Sequence, residues 1–525
     1  MSAIVTDQFR ILNTNNFIES VENASNSYYV FLGLPNPAPS TIGFGRTGTT
    51  LDNYNQNPLN PTDNFSFENH YKNTMLFGKK ITSSNVRRLI RRVTWTRGAR
   101  YEMYRHDYSA DNLSPITQQA RLYDANYYVI NSDFRVYICI DNGSSGDNVQ
   151  GNVSQDEPTF IDLEPTRAGE SGDGYLWKYL FTVSPSDIIK FDSTEYIAVP
   201  SDWFTSTDPL ISSIRDSGNS TINENQIKKI YIENRGSDYS PGLGNAVDIL
   251  GDGDNGTAIV DVNDSGEIID VRVSSGGKNY SYALVDLSIL QPGTTTLDNP
   301  AHLIPIIPPS KGHGFDLYKE LGTDRILVYA RFDDSTKDFP IDTSFAQIGI
   351  VKNPTAYNSD TIFTDNEFSS LYSIKFSSTS GTPPQIGDII SQSVSGNKTA
   401  FGYVASWDDK TKVLKYFQDR SLYYNDVTYD QRDYVGISSV GQTLPFESSS
   451  NPVTSPGFSG SIDQGFDENF VTIDNETIFL GVTFDGGLAN PEINKESGDI
   501  IYIDNRPLIS RNLRQKEDVK IILEF

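Results

Sequence analysis

Along much of the chain apolar and polar positions alternate with a period of two. Tyr127–Ile130, Arg135–Ile140, Tyr175–Val183, Ile326–Phe332, Phe345–Val351 and Ile500–Ile503 all read this way. A β-strand places successive side chains on opposite faces, so this period predicts strands half-covered by a core. Clusters of Gly, Pro, Asn and Asp separate them, as turns require. Two segments carry a helical period instead. Over residues 6–24, Phe9, Leu12, Phe17, Ile18 and Val21 fall roughly on one face, with Thr6 as N-cap. Val86, Leu89, Ile90 and Val93 follow the i, i+3, i+4, i+7 spacing after Ser83 or Ser84, which predicts a second helix. The pattern as a whole predicts a mainly β protein with a few short helices.

Residues 227–281 contain an internal repeat. Ile227-Lys-Lys-Ile230-Tyr-Ile232 leads to Gly236-Ser-Asp-Tyr239-Ser240, and Ile268-Ile-Asp-Val271-Arg-Val273 leads to Gly277-Lys-Asn-Tyr280-Ser281. Each copy is a strand, a Gly turn and Tyr-Ser. One strand and turn cannot bury an apolar face alone, so the two copies are expected to pack on each other. A second module is expected over 372–450, where 387–390, 399–405 and 413–417 read as strands of a small barrel. The Ser/Gly/Pro-rich stretch 447–461 reads as a linker. The expected layout is a larger core in three parts (1–214, 301–371 and 451–525), interrupted by two inserted β modules (215–300 and 372–450).

Composition adjusts this picture. The chain has 525 residues, with 42 Lys and Arg against 68 Asp and Glu, a net charge of −26. Such a field disfavours binding to nucleic acid or an anionic membrane. Aromatic residues make up 12% of the chain, enough to build a core and to argue against disorder. Cys139 is the one cysteine, so no intrachain disulfide forms, and its strand context reads as a small buried apolar residue. Asp7 and Arg10 interrupt the opening residues, which do not read as a secretory signal. No run approaches the ~18 apolar residues of a spanning helix, so a soluble protein is expected.

Candidate chemistry is sparse. His70, His106, His302 and His313 are scattered and suggest no zinc site. There is no nucleophile elbow and no phosphate-binding loop. Asp252-Gly253-Asp254-Asn255-Gly256 has the look of a calcium loop, but its twelfth position is Asn263 where a bidentate Glu is needed. It reads better as a turn between strands. Among so many carboxylates no pair stands out for glycoside hydrolysis. No catalytic, cofactor-binding or metal-ligating residue is therefore nominated.

The strongest local anomaly is basic. Residues 79–105 hold nine basic side chains (Lys79, Lys80, Arg87, Arg88, Arg91, Arg92, Arg97, Arg100, Arg105) against Glu102, while residues 201–300 hold 15 acidic and six basic ones. The arginines either pair with the chain's own carboxylates or form a docking surface for an acidic patch on another subunit. Arg87, Arg88, Arg91, Arg92, Arg97 and Arg100 are the candidates for a subunit interface, since arginine suits bidentate carboxylate pairing.

Several segments, in order, resemble the baseplate wedge subunit encoded by gene eight in T-even-type contractile-tailed bacteriophages. They are Ala3–Arg10; Val93-Thr94-Trp95 with Arg100-Tyr101; Asp173-Gly174-Tyr175-Leu176-Trp177-Lys178-Tyr179-Leu180-Phe181; Glu195–Pro200; Phe345–Pro354; Gly498–Pro507; and the terminal Lys520–Phe525. The resemblance covers 1–203, about 311–355 and about 470–525, and departs where the two modules are expected. It implies a β-sandwich core, a dimer within each wedge, and contacts with the products of genes six, seven and ten. It implies no catalysis and no cofactor. The motif residues themselves read as core packing, with Tyr175, Trp177, Tyr179 and Phe181 on one face of a strand that Asp173-Gly174 opens. Pro507 is expected to end its strand.

The sequence thus predicts a structural subunit of a virion tail baseplate, assembled in the host cytoplasm, with the inserted modules facing outward and able to contact fibre proteins. The alternative is a receptor- or carbohydrate-binding tail protein using exposed tyrosines.

Overall fold

The computed structural model describes residues 6–34, 55–58, 60–61, 65–217, 226–291, 297–333, 344–418, 423–424, 431–432, 444–510 and 516–525. Ala3, Ile4 and Val5 of the opening motif, and the side chain of His70, lie outside the described residues. The fold is mainly β with a few short helices. Two compact units are present: residues 1–16, 87–327 and 522–525 form one, and residues 17–86 and 328–521 the other.

The predicted first helix runs Asp7–Glu22, and Thr6 Oγ1 accepts the Phe9 N–H at 3.3 Å. Its buried side is rotated from the expected one. Ile11, Thr14, Ile18 and Val21 are buried, while Phe9 and Leu12 are 50% and 52% exposed. Thr14 can be buried because its hydroxyl donates to Arg10 O one turn back.

The second predicted helix is a strand. Ser83–Asn85 form a 3-10 turn, and Val86–Arg91 then pairs antiparallel with Tyr196–Val199, Leu89 opposite Ala198 and Ile90 opposite Ile197. The spacing of 86, 89, 90 and 93 fits a helix, but so short a run is ambiguous by period alone. The β-branched Val86 and Ile90 and a waiting partner strand decide it.

In the first unit, Tyr128–Ile130, Arg135–Asn142 and Tyr175–Thr182 form an antiparallel sheet with Arg135–Asn142 central. Asp173 opens the third strand: its Oδ1 accepts the Tyr175 N–H, its Oδ2 accepts the Gln155 N–H, and Gly174 takes φ +89°. Tyr175, Trp177, Tyr179 and Phe181 are buried along one face. Tyr175 and Trp177 stack at 5.2 Å, with Tyr101 edge-on to Trp177 at 5.8 Å. Burying one such ring contributes about 2–3 kcal/mol, and slipping the strand by one residue would turn the whole set around. Cys139 lies opposite Trp177, fully buried, and burial pushes its thiol pKa up.

The same unit holds a second apolar cluster. Gly242–Gly251, Asp254–Val262, Ile268–Lys278 and Ala283–Val285 form an antiparallel sheet, in which Gly242–Gly251 lies between Asp254–Val262 and Ala283–Val285. Ile230–Asn234 pairs separately with His302–Pro305. Side chains of both repeat copies (Ile230 and Tyr239, Ile268 and Tyr280) share this one core. In each copy the Gly and the residue two further on have positive φ: Gly236 and Asp238, then Gly277 and Asn279. The Tyr ring closes over the Gly, leaving no room for a Cβ. The Asp252–Gly253 link joins two strands, and Asp252 accepts from the backbone of Ser281 and Tyr282.

In the second unit, five antiparallel strands follow the order Glu367–Ser369, Met75–Ile81, Tyr28–Gly33, Ser344–Lys352, Asp499–Ser510. Two segments that carry the resemblance are therefore neighbours, Ile350 facing Tyr502. Pro507 does not end its strand, which continues to Ser510. It sits on an edge strand where the register shifts between Gln347 and Phe345, and there the missing N–H costs no ladder bond. The unit also holds a closed barrel. Its strands follow the order Val413–Phe417, Lys398–Asp408, Ile389–Val394, Val453–Ser455, Phe458–Ile462, Tyr372–Gly381, the last pairing back to the first. The stretch read as a linker is part of this barrel: a Gly-containing turn joins its last two short strands, and Val453 and Phe458 point into the barrel core.

No helix among the described residues is long and apolar enough to cross a membrane.

Candidate subunit interface

The basic segment divides between the two units. In the second, Lys79 pairs with Glu367, and Lys80 Nζ donates to Thr364 O at 2.6 Å. In the first, the arginines follow a strand, so neighbours point to opposite faces, and both faces are covered.

Arg87 Nε donates to Asp187 Oδ1 at 2.9 Å, and its guanidinium lies 5.0 Å from the Phe191 ring. Arg92 pairs with Asp192 and also donates to Ser193 O. Asp187 and Asp192 bracket the helix Pro185–Phe191. Ser184 caps it by accepting the Asp187 N–H, and Pro185 stands in its first turn. Asp187 also suits the positive end of that helix. The two arginines thus clamp one helix at both ends to the strand beside it.

Arg88 is buried, donates through Nε and Nη2 to Asn15 Oδ1 at 3.1 and 2.8 Å, and lies 3.9 Å from the Tyr318 ring centre. Arg91 Nη2 donates to the carbonyls of Asp124 and Ala125. Arg105 forks onto Asp107 at 2.8 and 2.6 Å and covers the Tyr231 ring at 4.3 Å. Arg97 and Arg100 are different. Both are exposed, Arg97 only 3.5 Å from Gln155 Oε1 and Arg100 donating to Gly151 O at 3.2 Å.

Glu102, the one acid in the segment, is fully buried. Its Oε1 accepts from Ile116 N, Thr117 N and Thr117 Oγ1, and its Oε2 from Asn126 N. Four donors replace the water a buried carboxylate loses, and the loop 114–126 is tied to the sheet through them. Sequence reasoning did not find this role. The Ser184-Pro185-Ser186-Asp187 pattern, in contrast, was a legible helix start beside which Asp187 could have been sought.

Elsewhere the histidines stand apart. His313 Nδ1 lies 2.6 Å from the buried Glu320 Oε1, His302 pairs with Glu233, and His106 Nδ1 accepts the Ile307 N–H. Among the described residues no group of three or more His, Cys, Asp and Glu is arranged to hold a metal ion.

What this region can do chemically is bind by contact. It has an internally clamped strand and helix, a rigid aromatic sheet, and two arginines turned to solvent. A comparison with curated proteins finds no match. Residues 162–236 match the model of the family described as Phage-Gp8 (Bacteriophage T4, Gp8). The match takes in the aromatic strand, the clamped helix and Ile230–Asn234, and ends at Gly236, the glycine of the first repeat. Over that segment the chain is similar to the T4 baseplate gene 8 product, the same family that its ordered motifs resemble.

Proposed function

We propose that this chain is a structural subunit of a phage tail baseplate wedge. It links neighbouring wedge proteins by protein–protein contacts during assembly in the host cytoplasm and holds them until contraction. The observation that carries this reading is the family match over 162–236, which supports a structural role in a phage baseplate. The matched residues build buried aromatic packing and supply the two aspartates of the Arg–Asp clamp, features of a rigid contact-making part. Of the six arginines considered for a subunit interface, Arg97 and Arg100 are the two that are exposed, and they form its outward part. Permanent assemblies bury large interfaces in which arginine and aromatic residues are enriched.

The neighbours under this reading are the products of genes six, seven and ten, with a second copy of the chain forming a dimer and fibre proteins reached through 215–300 or 372–450. Light scattering on the purified chain tests the dimer: a mass of twice 58.4 kDa is expected, and a trimer argues for a receptor-binding protein instead. Antibody labelling of purified particles tests the location. Label at the baseplate is expected, and label at fibre tips or none on the particle overturns the reading.

A further inference from the structure

The sheet of residues 242–285 presents an unusual outer stripe. Ala283–Val285 forms its edge, with Leu284 directly opposite Leu250. These two leucines are 51% and 46% exposed, and Tyr282, one step along the same face, is 60% exposed. On the other side of the leucine pair the ladder ends at Val285, and the Asp286 N–H donates to Asp248 O at 2.9 Å. Asp286 thus lies beside Asp248, just past the end of the ladder. Tyr282 faces Asp252, whose Oδ1 accepts the Tyr282 N–H. The stripe reads Asp–Asp, Leu–Leu, Tyr–Asp.

The leucine patch does not serve the isolated chain, since in water it forgoes its burial. The Asp286 carboxylate accepts the Ser288 N–H at 2.9 Å, and that bond holds its pKa below the usual carboxylate value, so it stays charged. Residues 242–290 carry eight acidic and two basic side chains, so the field around the leucines is negative. This stripe lies beyond the residues matched to the phage family.

We infer that the stripe is a docking surface for a partner protein of basic chemistry. The partner lays an apolar side chain over Leu250 and Leu284 and places a Lys or Arg between Asp248 and Asp286. Charge complementarity selects this occupant: nucleic acid and anionic lipid are repelled, and a sugar site would need more aromatic surface than Tyr282 alone offers. The inference rests on the baseplate reading for the particle in which the partner is met.

The test uses Leu284→Cys in the full chain. Cys139 is fully buried, so the new thiol is the one that N-ethylmaleimide reaches. Fast labelling is expected in the free chain, and labelling slowed by about ten-fold or more in purified particles, as for a residue at an interface core. Adding Asp248→Lys and Asp286→Lys should restore fast labelling in particles. A benzophenone maleimide on the same thiol should capture a peptide with Lys or Arg beside an apolar residue. Equal labelling in chain and particle overturns the inference alone. Capture of an acidic peptide, a glycan or nucleic acid also overturns it. Absence of the chain from particles overturns the baseplate reading together with it.

Discussion

Arg87 and Asp187 meet at 2.9 Å, with their side chains only 15% and 11% exposed. At that depth the attraction is weakly screened, but so is the cost of leaving one charge behind. Asp187→Ala is therefore expected to destabilise the first unit by about 2–4 kcal/mol. Denaturant unfolding followed by tryptophan fluorescence measures this, since Trp177 and Trp203 lie in the same core. Arg97→Ala and Arg100→Ala should each stay within about 0.5 kcal/mol of the parent. Equal losses at Asp187 and Arg97 would contradict the division between clamped and exposed arginines.

Trp177 offers a sharper packing test. It is fully buried, and its indole N–H finds no acceptor among the described residues. Trp177→Ala should cost about 3–5 kcal/mol through the cavity it leaves. Trp177→Phe should cost much less, because it also removes an unsatisfied donor worth about 1–3 kcal/mol. A Phe variant as damaged as the Ala variant would mean that the N–H is satisfied after all.

Lys178, on the same strand, makes stability depend on pH. Burial lowers its pKa from 10.5 to about 8, although Nζ donates to Leu163 O at 2.6 Å. Between those values the unfolded chain binds the proton and the folded chain does not, so stability rises with pH there. The slope is at most about 1.4 kcal/mol per pH unit. The buried Cys139 thiol and the buried tyrosines, raised in pKa, pull the other way in the parent, so the test is the difference between two chains: from pH 8 to pH 10 the urea midpoint of the parent should rise relative to that of Lys178→Met. A difference that stays flat or falls would contradict the buried lysine with its lowered pKa.

The two repeat tyrosines do the same job. The Tyr239 hydroxyl accepts the Ala301 N–H at 2.9 Å, and the Tyr280 hydroxyl accepts the Gly256 N–H at 3.1 Å. Tyr239→Phe should cost about 1 kcal/mol, and Tyr280→Phe more, since its hydroxyl also donates to Ile249 O at 2.8 Å. Gly277→Ala should cost more, since it demands positive φ of an alanine and drives Cβ to 2.5 Å from Asp254 O. Thermal unfolding of the single variants checks the order.

These residues also mark what could be read from the chain beforehand. The alternation through Tyr175–Phe181 exposed a strand because one face is wholly apolar, and the repeat was visible because Gly, Tyr and Ser recur at fixed offsets. Val86–Val93 misled because a strand buried on both faces need not alternate, and pairing with Tyr196–Val199 is invisible locally. The barrel strands Val453–Ser455 and Phe458–Ile462 were hidden by their Ser and Gly content, which suits a tight turn as well as a linker. The arginines were found as a cluster, but the aspartates that hold Arg87 and Arg92 each lie a hundred residues away in sequence. Only folding reveals which of them, Arg97 and Arg100, remain turned to solvent.

The most direct measurement is a density map of the intact tail tip of a particle carrying this chain. The account predicts density for residues 162–236 within the baseplate ring, with the Arg97 and Arg100 surface against an acidic neighbour. Density for the chain only at a fibre tip, or at no position in the baseplate, would contradict it.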